Sequence, residues 1–124
     1  MLPSAGVELR RRYLHLTQKD VGIGFPRRRA VNEPLHFAIS ALSAGDAIAL
    51  RQRENNWELA DTSGMTVGVL SQSRSPPKGM QFVSGCVSAI IVCRRKDTEE
   101  KYLHSCRCEQ WEVVLPELVF APGR

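Results

Sequence analysis

At 124 residues the chain is the size of one domain, and a core of that size is stable without disulfide or metal staples. An apolar share of 43% excludes disorder of the whole chain, and no run of about 18 apolar residues is present to cross a bilayer. The net charge of +4 is unevenly spread: residues 1–30 hold seven basic and two acidic side chains, residues 31–124 ten and eleven.

The excess positive charge therefore belongs to the N-terminal quarter. Its two triplets, Arg10-Arg11-Arg12 and Arg27-Arg28-Arg29, point to an anionic partner, nucleic acid first. The plainer reading is a solvated segment whose arginines pair with the acidic body. Met1 to Gly6 lacks both the charged n-region and the apolar h-region of a secretory signal. The expected location is the cytoplasm, where the four cysteines stay reduced, and no membrane partner is expected.

Residues 1–35 read as a basic arm or an extra strand, mostly extended or irregular. Val7-Glu8-Leu9 and Tyr13-Leu14-His15-Leu16 alternate in part, and a single helical turn is expected near Thr17 to Asp20. Gly22-Ile23-Gly24-Phe25-Pro26 and Asn32-Glu33-Pro34 then break any regular element. The domain proper is expected over residues 36–121. His36 to Ile39 reads as a short strand and Ser40 to Asp46 as a turn. Ala47 to Arg53 alternates, with Ile48 and Leu50 inward and Arg51 and Arg53 outward. Glu54-Asn55-Asn56 is a tight turn, because Asn tolerates positive φ. Trp57 to Ala60 and Thr66 to Leu70 complete a three-strand meander around the turn Asp61 to Gly64.

The adjacent prolines of Ser71 to Gly79 make that segment a loop. Met80 to about Arg95 is the longest expected strand, with Gly85 marking a bulge or bend. Lys96 to Lys101 is a charged hairpin tip, and the return strand is expected from Tyr102 to Leu115. Pro116 interrupts it and Glu117 to Ala121 closes the domain as an edge segment. The fold expected is all-β, a small, partly closed barrel of five or six strands with an irregular basic N-terminal arm. Inward positions should include Ile48, Leu50, Trp57, Leu59, Val67, Val69, Val87, Ile91, Trp111 and Val113.

Catalytic signatures are missing. There is no G-x-S-x-G, P-loop, G-x-G-x-x-G or H-E-x-x-H, and Glu99-Glu100 reads as solvated surface. No catalytic residue and no cofactor are expected. A hairpin centred near Glu99 and Glu100 places Cys93 almost opposite Arg107, near Cys106 and Cys108. Those three are candidate metal ligands, although C-x-C spacing is shorter than zinc sites usually use, and buried reduced thiols are the plainer reading. Nucleic-acid binding needs cations for phosphates and flat rings for bases. The candidate contacts are Arg10, Arg11, Arg12, Arg27, Arg28, Arg29, Arg51, Arg53, Arg74, Lys78, Arg94, Arg95 and Lys96, with Tyr13, Phe25, Phe37 or Phe82 as a stacking ring.

One resemblance narrows the context. Gly45-Asp46-Ala47-Ile48-Ala49-Leu50, then Trp57-Glu58-Leu59-Ala60-Asp61-Thr62-Ser63-Gly64, then Val67-Gly68-Val69-Leu70 resemble the HIRAN domain, an OB-like barrel appended to DNA-remodelling helicases. Ser75 to Met80, Arg94 to Asp97 and Arg107 to Phe120 are similar to the accessory C-terminal region of bacterial RecQ-family helicases. The likeness covers roughly residues 43–120. HIRAN sequences commonly carry an asparagine-rich stretch where this chain has Glu54-Asn55-Asn56-Trp57, so no pocket residue is transferred. The resemblance implies an OB-like or HIRAN-like barrel in a non-catalytic accessory domain of a DNA helicase. It also implies a role in DNA repair, single-stranded or branched DNA as partner, and other helicase domains alongside. The competing readings are a docking or spacer module using the edge at Leu118-Val119-Phe120, and a thiol metal-binding domain.

Overall fold

The computed structural model describes residues 10–72 and 74–123, so Val7-Glu8-Leu9 and Ser73 of the loop lie outside the described residues. The chain is mostly β. Its strands are β1 (Arg12–His15), β2 (Ala49–Arg53), β3 (Asn56–Ala60), β4 (Thr66–Val69), β5 (Met80–Arg94) and β6 (Gln110–Pro122). Two short helices, α1 (Gly24–Arg27) and α2 (Pro34–Ser40), precede β2, and 3₁₀ turns occupy Arg95–Asp97 and Glu100–Ser105.

The strands do not close into a barrel. The strands form two antiparallel three-stranded sheets, ordered β1-β6-β5 and β2-β3-β4. Single bridges link them: Ala47 to Cys86 on one flank, and Val21 to Leu70 on the other. One core lies between the sheets. Ile48, Leu50, Leu59, Val67, Val87, Trp111 and Val113 are buried in it as expected, and Trp57 and Ile91 pack against it. Leu16, Val21 and Leu35 enter the same core, so the described part of residues 10–35 packs into the body of the domain. The extra strand expected there is β1.

Three further expectations need correction. His36 to Ile39 is helical, not a strand. Pro34 occupies the first turn, where its missing amide costs nothing. Leu35, Ala38, Ile39 and Leu42 then face the core at i, i+3, i+4 and i+7, leaving Phe37 exposed. The return strand, second, does not start at Tyr102. Residues 95–106 wind through i→i+3 bonds such as Tyr102 N–H to Glu99 O (2.9 Å) and Cys106 N–H to Leu103 O (3.1 Å). The ladder resumes only where Arg94 faces Gln110. Cys93 is thereby opposite Trp111 rather than Arg107.

Third, Pro116 does not interrupt β6, and residues 117–121 are no edge. Leu118 and Phe120, both 1% exposed, lie between β1 and β5 at the centre of their sheet. Proline has no ladder donor, and the β5 side accommodates that with a register shift between Val87 and Ala89. Ser88 bulges out there, and its hydroxyl donates to the carbonyl of Leu115 (2.8 Å). On the other side the Pro116 carbonyl accepts the Leu16 amide (3.1 Å).

Gly85 admits a close crossing. A Cβ on it would sit 2.9 Å from the Ile48 carbonyl oxygen, which belongs to the segment that joins the two sheets. Glu54, not an asparagine, takes the positive φ of the β2–β3 turn (55°). No helix among the described residues is long and apolar enough to cross a membrane.

Candidate nucleic-acid interface

The second arginine triplet is positioned by α1, one short turn that follows the bridge of Val21 to Leu70, just past β4. Phe25 lies on this turn, and Trp111 of β6 pins its start by donating its indole N–H to the Ile23 carbonyl (2.9 Å). A cleft of about 930 Å³ opens between this segment, the end of β5 and the 3₁₀ turns. Lys19, Arg27, Arg28 and Arg94 line it, together with Phe25 and Tyr102, while Asp97 and Glu99 are the carboxylates present.

Arg27 is the unusual member. It is 7% exposed, and its Nε has no hydrogen-bond partner among the described residues. None of the ion pairs among those residues includes Arg27, Arg28 or Arg94. The guanidinium carbon lies 4.7 Å from the centroid of the Tyr102 ring, a cation–π contact. Gly24 makes room for the fold-back, since a Cβ there would be 3.0 Å from Arg27 Nη2. Cys93 lines the same cleft. Burial raises its pKa against the opposing pull of Arg27, so it stays a neutral thiol and supplies no counter-charge.

The other predicted cations divide. Arg51 and Arg53 share one carboxylate oxygen of Glu58, at 3.4 and 3.7 Å, and Arg51 also donates to the Thr66 hydroxyl (2.7 Å). Arg29 faces Glu33 at 3.9 Å, and its guanidinium carbon lies 5.4 Å from the Phe25 ring centroid. These three line a second cleft of about 510 Å³. Arg74 pairs with Asp20 (3.6 Å), whose pKa is lowered chiefly by the Thr17 amide. Arg95 is structural, donating from Nη1 to the Cys106 carbonyl (3.0 Å). Arg10, Arg11, Arg12, Lys78 and Lys96 are exposed and line neither cleft. The candidate cations thus divide between two clefts, local ion pairs or structural bonds, and scattered surface positions.

Of the candidate rings, Phe25 is at the site. Tyr13 and Phe37 are exposed away from both clefts, and Phe82 packs edge-on against Phe120 at 6.1 Å. Tyr102 and Lys19 were not among the predicted contacts. A return strand expected to begin at Tyr102 hides the first, and a lone lysine carries no motif.

No group of three His, Cys, Asp or Glu side chains among the described residues is arranged to hold a metal ion. Cys108 instead donates to the Arg29 carbonyl (3.1 Å), with His36 Nε2 3.6 Å from its sulfur. Burial raises the Cys108 pKa first, and neighbouring Cys106 adds to it. No family model, curated protein or solved structure matches the chain.

Proposed function

We propose that this protein is a non-catalytic accessory domain of a DNA helicase, and that it binds single-stranded or branched DNA in the cleft that Arg27, Arg28 and Arg94 line. In this reading the two bridged sheets are an opened OB-like barrel of the HIRAN type. The likeness of residues 43–120 to HIRAN and RecQ-associated sequences supports the same ligand class. The observation that carries the proposal is the buried Arg27 guanidinium without a carboxylate. Burying an unpaired cation costs several kcal/mol, and an orphaned buried donor calls for a partner. A phosphate oxygen in the cleft supplies both the charge and the acceptor. Phe25 offers a ring beside it on which a base stacks, whereas the Tyr102 ring already carries Arg27 at 4.7 Å and Lys101 at 5.0 Å.

The test is fluorescence anisotropy with a labelled oligothymidylate of about 12 nucleotides at about 50 and 200 mM salt. The native protein should bind, and more weakly at the higher salt. Arg27→Met should weaken binding at least about tenfold while keeping or raising thermal stability, because the unpaired charge is gone. Absence of binding at low salt, or binding indifferent to salt, refutes the proposal.

A further inference from the structure

We infer that the second cleft is a second phosphate subsite, so that a bound strand crosses α1 and occupies both clefts with Phe25 between them. The inference rests on the DNA-binding reading above and specifies how much of a strand the domain engages. Phe25 lines both clefts, which makes its ring the divide shared by the two cavities. Beyond the ring lie Arg29, Arg51 and Arg53.

The charges there do not cancel. Arg51 and Arg53 both converge on Oε1 of Glu58, so a single carboxylate answers two guanidiniums. Arg29 meets Glu33 only at 3.9 Å, at the limit of an ion pair. Three cations thus face two carboxylates, and one positive charge remains for an incoming anion. The side chain of Arg53 is 65% exposed and that of Arg29 50%, so both can reach a ligand without unfolding anything. Arg29 also lies over Phe25, where a base arriving from the first cleft would meet a ring already flanked by a cation. The backbone of Arg29 is fixed at its carbonyl by both Cys108 and His36, which sets the spacing of the subsites before the strand arrives.

Counterion release distinguishes one subsite from two. Each phosphate contact on a single strand adds about 0.7 to the slope of log K against log salt. A longer strand also gains from having more registers to bind in, but that statistical gain does not change the slope. Salt titrations with oligothymidylates of about 4 and about 12 nucleotides therefore read the number of contacts directly. The longer strand should show a slope steeper by about 0.7, the contribution of one additional contact. The double variant Arg29→Gln/Arg53→Gln should abolish that difference, with thermal melting run alongside to show that the fold is retained.

Equal slopes for the two lengths in the native protein, or a difference that survives the double variant, overturn the second subsite. If Arg27→Met still weakens binding at least about tenfold in that case, the strand is confined to the first cleft and only this inference fails. No binding of either length overturns both readings together.

Discussion

Cys108 donates its thiol to the carbonyl of Arg29 at 3.1 Å, joining positions that lie 79 residues apart in the chain. The Arg107 amide donates to the Arg27 carbonyl at 2.7 Å, so the loop after the second 3₁₀ turn holds the arginine triplet at two points. That loop contributes no cation to either cleft. Its role is to fix where the guanidiniums start.

Substituting Cys108 should therefore act on stability and binding together. The residue is 3% exposed, and Cys108→Ala removes a buried donor and leaves a small void. A loss of about 1–2 kcal/mol in urea denaturation is expected. Oligothymidylate affinity should fall as well, although Cys108 lines neither cleft. Cys108→Ser retains a donor and should keep more of the affinity than the alanine variant. Equal binding by native and Cys108→Ala proteins would show that the pin does not position the triplet.

The same thiol gives a pH dependence. Burial, and after it Cys106, raises the Cys108 pKa above its ordinary value of 9.0. A group whose pKa is raised by folding stabilises fully below its unfolded pKa, and that contribution is lost as pH rises through the folded value. Cys93 is shifted in the same direction, by burial against the pull of Arg27. The urea midpoint should thus fall above about pH 9, and the fall should be shallower in a Cys93→Ala/Cys108→Ala variant. Parallel pH profiles for the two proteins would remove the thiols as the cause.

Much of the sheet was legible because alternation is a short-range signal. Ile48 just before β2, Leu50 within it, Leu59 on β3 and Val67 on β4 are all buried where the pattern placed them. The helix at Pro34–Ser40 was not legible: Leu35, Ala38, Ile39 and Leu42 carry its spacing, but so short an apolar run fits a strand equally well until its partner is known. The central position of Leu118 and Phe120 was not legible, because it depends on β1 arriving from more than a hundred residues away. At the site, the arginine clusters were visible as charge. What separates Arg27 from Arg51 is the neighbouring carboxylate, and Glu58 reaches Arg51 only through the pairing of β2 with β3. Tyr102 joins the cleft through a 3₁₀ turn that the charged composition of residues 96–101 concealed.

Gly24 offers a test in which stability and binding move in opposite directions. It opens α1, and its φ is not in the left-handed region, so alanine suits the backbone and favours the helix by up to about 1 kcal/mol. The added methyl, however, would stand 3.0 Å from Nη2 of Arg27 and 3.2 Å from its Cζ and Nε. Those atoms end a flexible side chain, so the guanidinium yields rather than the backbone. It should swing off the Tyr102 ring and out of its buried position, gaining water and losing its aim into the cleft. Gly24→Ala is thus expected to melt at the same temperature as the native protein or higher, while binding oligothymidylate several-fold more weakly. A variant that is less stable would place the clash in the backbone. One that is equally stable and binds as tightly would show that the buried pose of Arg27 is not what the strand recognises.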